Sequence, residues 1–361
     1  MRGVTVVQEN PDGTVEADWL LDSVVRVFRA VGFGAEAAAV VAESLVEADL
    51  RGVSSHGVML VPMYVDRVLA GSVSRKEAAE VVADLGAVAV LDAGHALGQV
   101  TSDQAMALAV AKAKRYGVGA VAVRRAFHFG GAFRYVQAAA AQGCIGVAAS
   151  NTRPLMPAVG GARPAVGNNP LAFGVPSRDG HPVVLDMALS EAALGKIRIA
   201  ASEGRPIPST WATDADGTPT TDPEEALRGM LLPAAGHKGF GLALIVDMLT
   251  GVLSGGSAGA AVKPLYADVT VPNDCAHFFL ALDVAAFGDA DGFAERLAAL
   301  TAEVTGSPTA PGVERIYLPG QIEAERSDAA AAHGVRIEAS VLKALRETAA
   351  KVGAELPEAR S

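Results

Sequence analysis

Trp19, Leu20, Val24, Val27, Phe28 and Val31 recur three and four residues apart, the spacing that gathers apolar side chains on one helix face. Gly32-Phe33-Gly34 breaks that helix, and residues 37–50 make a second. A third is predicted over about 58–70, where Val61, Val65 and Val68 share a face and Gly71 ends it. From Glu80 the texture changes to short apolar runs alternating with helical stretches, the signature of an α/β domain. Strands are predicted at 88–91, in the run leading to His128, and at 145–149, 171–175, 182–186 and 278–282. Helices are predicted at 98–116, 131–142, 190–201, 236–253, 293–304 and 338–351. Residues 1–15 read as a loose leader, and 316–320 as a short extended piece.

Three positions stand out where elements meet. The run from Gly117 to Val123 suits a strand buried on both faces. His128 follows it just before Gly130-Gly131 and a new helix, and in open α/β sheets ligands bind at the carboxyl ends of strands. A histidine here either meets a ligand or is satisfied by a neighbouring carbonyl, and position alone leaves both open. His56 and Tyr64 flank the start of the third helix, whose positive end favours an anion, although Ser54 or Ser55 could simply cap it. Lys238, between Gly236 and Gly239 at another helix start, adds a cation to free backbone N–H groups, which suits a phosphate or ribose.

Composition narrows the classes. The chain has 361 residues, enough for two lobes with cores. A net charge of -10 argues against a nucleic-acid partner. Two cysteines, Cys144 and Cys275, are too few for a disulfide framework. No secretory leader is evident, and the apolar stretch 241–253 is interrupted by Asp247 and too short to span a bilayer, so a cytoplasmic protein without a membrane partner is expected. Gly255-Gly256-Ser257-Ala258-Gly259 matches Gly-x-Ser-x-Gly only inside a Gly/Ser-rich stretch and not at a strand-to-helix elbow, and His-Glu-x-x-His, Cys-x-x-Cys and a phosphate loop are absent, so neither a serine hydrolase nor a metal site is signalled. Gly32-Phe33-Gly34-Ala35 imitates a dinucleotide fingerprint but follows a helix, not a strand.

An ordered set of short motifs then covers nearly the whole chain. It comprises Asp49-Leu50-Arg51-Gly52-Val53-Ser54-Ser55-His56-Gly57, Pro62-x-Tyr64, Leu97-Gly98-Gln99, His128-Phe129-Gly130 and Gly167-Asn168-Asn169-Pro170. Further on stand Leu185-Asp186-Met187-Ala188-x-Ser190, Gly195-Lys196-Ile197, Trp211, His237-Lys238-Gly239-Phe240-Gly241 and Leu318-Pro319-Gly320. The set resembles the malate/L-lactate dehydrogenase family of non-Rossmann oxidoreductases, which includes ureidoglycolate, sulfolactate and diketogulonate dehydrogenases and a piperideine-carboxylate reductase. The resemblance implies an atypical α/β domain (79–305) binding NADH or NADPH, and a helical domain made from both chain ends (14–78 plus 306–361). It also implies a homodimer with the site near the subunit interface. It assigns cofactor contacts to Asp186, Met187, Ala188, Leu189 and Ser190, to Lys238 and Gly239, and to Pro319 and Gly320. Hydride transfer to or from a C=O, C–OH or C=N carbon needs a proton donor, a role suited to His56 or His128, with Asp186 orienting a histidine or holding the cofactor. Ser55 and Tyr64 are expected to hydrogen-bond the substrate.

The sequence departs from the family pattern at several places. Leu60 stands where the family commonly has an arginine, four residues after His56, so either the substrate lacks the carboxylate or another cation grips it, with Arg134 a candidate. Phe133 replaces a small residue, Asn168 a threonine, and Gln321 a glutamate. The substrate expected is a small 2-oxo or 2-hydroxy acid. The alternatives are a cyclic imine carboxylate, a specialised ketone, or a catalytically silent relative that binds a metabolite.

Overall fold

The computed structural model describes residues 13–178 and 180–358. The expected leader lies outside the described residues up to position 12. Beyond it β1 (Thr14–Val15) leads into α1 (Ala17–Ala30), α2 (Ala35–Leu50) and, after 3-10 turns at Ser54–His56 and Val58–Leu60, α3 (Val61–Ala70). Then follow β2 (Glu80–Leu85), β3 (Val88–Asp92), α4 (Gly98–Tyr116), β4 (Val118–Ala126), α5 (Phe133–Ala141) and β5 (Cys144–Ser150). The short pair β6 (Met156–Pro157) and β7 (Pro164–Val166) precedes β8 (Leu171–Val175) and β9 (Val183–Met187). The rest is α6 (Leu194–Ser202), α7 (Pro223–Arg228), α8 (His237–Asp247), β10 (Cys275–Asp283), α9 (Ala290–Thr305), α10 (Gln321–His333), β11 (Val335–Arg336) and α11 (Ala339–Val352).

The chain is α/β, around a seven-stranded sheet ordered β2-β3-β4-β10-β5-β8-β9. Only β3 and β4 run parallel; the other neighbours in this sheet are antiparallel. It is therefore not the doubly wound parallel sheet in which strand carboxyl ends share one rim. Strand β10 enters the centre late in the sequence, and its inward residues His277, Phe279 and Ala281 are fully buried. Helix α4 packs on β4 and β10, and α5 on β5 and β8.

A first apolar core joins α1, α2 and α3 to the C-terminal Leu342 and Leu345, and takes in Leu97 and Phe127 from the sheet region. Fully burying a side chain such as Leu20, Phe28 or Leu45 stabilises the fold by roughly 1.5–3 kcal/mol each. The strand pair β1–β11 adds backbone bonds between the two chain ends. Buried Arg67 of α3 donates to the carbonyls of Pro264, Leu265 and Val271 and so fastens the loop before β10 to this helix.

Four local differences from the sequence reading have physical causes. The helix expected from 190 starts only at Leu194, because Ser190 bridges Pro233 and the Glu191 N–H donates to the Leu232 carbonyl, which holds 189–191 extended. The helix expected over 236–253 changes to π-helical winding at Met248–Val252, just after Asp247 is held by the Asn151 amide and the Gly259 N–H. Helix α10 was not foreseen: its Ala-rich, charged sequence has no apolar period for pattern reading to detect. Strand β2, at the sheet edge and mostly exposed, lacked inward alternation for the same reason.

Candidate active site

The turn Ser54–His56 and the segment after β4 bring two imidazoles together. The rings of His56 and His128 lie nearly parallel, 5.5 Å apart between centroids. His128 Nδ1 is 2.6 Å from the Tyr64 hydroxyl, and the Gln99 side-chain amide donates to that hydroxyl at 3.0 Å. A phenol that accepts from Gln99 and donates its own proton to His128 Nδ1 would leave the neutral ring's proton on Nε2. Ser55 Oγ lies 3.0 Å from His56 Nδ1. Burial lowers the pKa of both imidazoles; for His128, with added repulsion from His56 and His277, it falls to about 3. Both rings are therefore uncharged at neutral pH.

Buried groups hold this pair in place. Asp49, at the end of α2, accepts the Val58 N–H at 2.8 Å and so fixes the turn that carries His56. A side chain at Gly57 would place its Cβ 2.1 Å from the Asp49 carboxylate, so only glycine fits there. Burial pushes the Asp49 carboxyl up to about 7. His277 of β10 is fully buried, bonded to Ser150 Oγ and the Phe127 carbonyl, and stacked on Phe129 with centroids 4.5 Å apart. It props the segment 127–129 from beneath.

Two of the three segments expected to hold a dinucleotide meet just past the end of β9, and the third meets the start of that strand. Leu189 donates to the Asn168 carbonyl and accepts from the Ala234 N–H, while Ala234 accepts from the Gly239 N–H in the first turn of α8. Exposed Lys238 thus stands beside the Asp186–Ser190 segment. From the other side the Pro319 carbonyl accepts the Val184 N–H at 3.1 Å. Gly320 has φ +80°, and a Cβ there would lie 2.6 Å from the Val184 carbonyl, a close approach reserved for glycine. Free N–H groups at the start of α8, a cation and a side-chain-free approach at Gly320 fit a dinucleotide with a negatively charged backbone.

Asp186 links this cleft to the histidines. Its carboxylate accepts the Phe133 N–H at 2.8 Å and caps the start of α5, which lacks a cap of its own, five residues beyond His128. It keeps access to solvent, yet its crowded surroundings push its carboxyl up to about 6, burial being the main cause.

Arg134 is not brought to this cluster. Its guanidinium is engaged by Asp103, Glu43 and Glu47, at 2.8, 3.2 and 3.4 Å, and ties α5 to α4 and α2. Charge-assisted bonds to three carboxylates leave it no free fork for a substrate, so the expected grip is corrected here. Leu60 is 1% exposed and belongs to the helical core. Asp49, Arg51, Gln99 and His277 went unassigned in the sequence reading, although the first three lie inside quoted motifs; His277 carries no local signal, being an inward residue of an ordinary strand. No cluster of three or more His, Cys, Asp or Glu suited to a metal occurs among the described residues, and no helix there is long and apolar enough to cross a membrane.

A half-buried pair of stacked imidazoles and backbone segments suited to a dinucleotide point to a redox class of enzyme, and the relatives agree. The family description "Malate/L-lactate dehydrogenase" matches residues 15–346. The chain is 38% identical to a malate dehydrogenase of Pyrococcus horikoshii over 349 residues, 94% of this chain and 96% of that protein. The solved sulfolactate dehydrogenase of Methanocaldococcus jannaschii superposes with a TM-score of 0.90 at 34% identity, covering 95% of this chain and 98% of that one. The solved delta1-piperideine-2-carboxylate reductase of Pseudomonas syringae gives a TM-score of 0.84 at 31% identity, covering 93% and 99%. The chain belongs to the malate/L-lactate dehydrogenase family and is an oxidoreductase.

Proposed function

We propose that the protein transfers a hydride between NADH or NADPH and the carbonyl or carbinol carbon of a small 2-oxo or 2-hydroxy acid. The observation that carries this reading is the meeting of His56 and His128 at 5.5 Å, from 72 positions apart in the chain, on a segment that Asp186 of β9 holds through the Phe133 N–H. A bound reduced nicotinamide supplies the hydride, and Asp186–Ser190, Lys238-Gly239 and Pro319-Gly320 are the residues that would hold it.

The chain's own residues handle charge and proton. The Nε2–H of His128 donates to the oxygen that becomes negative, and the Tyr64 and Gln99 bonds keep that proton on Nε2. Because His128 is neutral, it polarises the carbonyl as an uncharged donor. His56, uncharged beside it and contacted by Ser55, is the base that takes the hydroxyl proton when the 2-hydroxy acid is oxidised; in the reductive direction it first takes a proton from solvent and passes it to the alkoxide oxygen. General acid–base assistance of this kind contributes on the order of 10²–10⁴-fold. Asp186 positions the His128 segment through the Phe133 N–H.

Two wider expectations keep their place in this reading. Residues 14–78 with 306–361 act as the helical domain and 79–305 as the cofactor domain, supported by the core that both chain ends share. The functional unit is a homodimer: Leu242, Ile245, Met248, Val252 and Leu253 of the α8 region are 45–64% exposed, on a stretch from 239 to 259 whose one charged residue, Asp247, is buried. A helix apolar on every side needs cover, and a second copy placed there puts the Lys238 end beside the interface. Sedimentation at twice the chain mass is the expected result.

Nicotinamide fluorescence with NADH and NADPH, followed by turnover on 2-oxo acids, tests the reading. His128→Ala and His56→Ala are expected to cut turnover at least tenfold with cofactor binding retained; full turnover in both variants would remove the acid/base assignment. The likeness to the piperideine-carboxylate reductase supports a second reading, reduction of a cyclic imine carboxylate, which turnover on such an imine but not on 2-oxo acids would establish.

A further inference from the structure

Two arginines are buried among the described residues, and they differ in one respect. Arg67, fully buried, spends its guanidinium on four loop carbonyls and Ser72 Oγ. The side chain of Arg51, a residue 5% exposed, makes neither a hydrogen bond nor an ion pair within 4 Å with the described residues, and its Nε is buried without a partner. A guanidinium has five donors in a fixed fork; the Nε–H of Arg51 is dry and unpaired, which is unfavourable unless a partner arrives, and no side chain or carbonyl among the described residues takes the other donors.

Its surroundings show where the partner would come from. Arg51 follows α2 directly and stands five residues before His56, three before the turn Ser54–His56 begins. Its guanidinium carbon lies 4.7 Å over the face of Phe133. The Phe133 N–H is the group that Asp186 accepts, so the cation sits between the histidine-bearing turn and the end of β9. Glu47, Glu323 and Asp186 are within electrostatic reach, but none forms an ion pair with it, and burial lowers the guanidinium pKa despite them. The ring of Phe133 fixes the plane of the fork and keeps water off one face. Arg134, the other cation of this corner, is engaged by three carboxylates.

We propose that Arg51 is the residue that grips the carboxylate of the substrate, bidentately, with Phe133 as its backing. This deepens the 2-oxo acid reading and rests on it: the acid's planar carboxylate matches the arginine fork, and the carbonyl next to it then lies toward the imidazoles. The assignment makes Arg51 and Phe133, rather than Arg134, the residues that select for an acid over its uncharged analogue.

The test uses the full-length protein and the variants R51Q and R51K. The probes are the 2-oxo acid turned over best among pyruvate, glyoxylate and oxaloacetate, the corresponding 2-oxo amide, and oxamate as a non-reacting acid. R51Q is expected to raise KM for the acid at least tenfold, with kcat within a few-fold and the cofactor Kd within twofold. Its kcat/KM for the amide is expected to match the wild type, and R51K to recover part of the loss. Oxamate is expected to protect the wild type, with and without cofactor, against thermal unfolding, and to lose that effect in R51Q. Equal losses on acid and amide would make Arg51 structural, and a tenfold weaker cofactor Kd would assign it to the cofactor phosphates; either overturns the proposal. Should neither NADH nor NADPH bind the wild type, the hydride-transfer reading fails, while oxamate protection that depends on Arg51 would still uphold the anion grip. Absence of that protection in the wild type under every condition overturns it.

Discussion

Replacing Asp49 by asparagine should flatten the pH dependence of stability in a predictable window. Asp49 is 7% exposed, and asparagine can still accept the Val58 N–H through its side-chain oxygen, so the turn at His56 is kept. The carboxyl moves from 3.8 in an unfolded chain to about 7 in the folded one, with burial the leading cause. A folded-state value above the unfolded one means that folding favours the protonated form. The associated stability is complete below 3.8 and is lost as pH rises through about 7. At about 1.4 kcal/mol per pKa unit the full loss is roughly 4 kcal/mol, of which roughly 2–3 kcal/mol falls between about pH 5 and pH 7. The asparagine side chain does not titrate, so D49N should gain that much on the wild type across the same interval. Asp186, raised to about 6, acts with the same sign, whereas His128 and His277, lowered to about 3 and 4, cost stability as pH falls below 6.5. These groups are present in both proteins and cancel in the difference. Urea unfolding of the two proteins at a series of pH values measures it. Stability curves that run parallel from pH 5 to 8 would refute the claim that Asp49 is buried with its proton.

Other perturbations follow from single contacts. Tyr64→Phe removes the donor to His128 Nδ1 and the acceptor for Gln99, and is expected to cost roughly 1–3 kcal/mol of stability and to lower kcat about tenfold, with cofactor Kd unchanged; calorimetry and steady-state kinetics read both. Lys238→Ala, at an exposed position, is expected to weaken cofactor binding several-fold in fluorescence titration while the melting temperature stays put. Gly320→Ala forces a methyl against the Val184 carbonyl at φ +80°, with strain of about 1–3 kcal/mol, and is expected to lower both melting temperature and cofactor affinity.

Much of the candidate site could be picked out from the chain because it is written in local motifs at the ends of elements. His56, Tyr64, His128, Asp186 and Lys238 each sit where a helix begins or a strand ends, and such junctions carry Gly, Ser and Asp punctuation that survives without tertiary knowledge. The supporting residues were harder. His277 looks like any strand residue until β10 is seen to pass under the 127–129 segment. Arg134 looked free because its partners, Glu43, Glu47 and Asp103, come from two other helices.

By itself the sequence determined the family, the α/β texture and nearly all the long helices and sheet strands, since apolar spacing and turn residues act within a few positions. It could not determine that the sheet is mostly antiparallel with β10 at its centre, because strand order depends on contacts between segments more than a hundred residues apart. Nor could it decide which arginine is engaged and which is left unpaired. A cation's role depends on the charges and the water around it, and only the folded chain sets those.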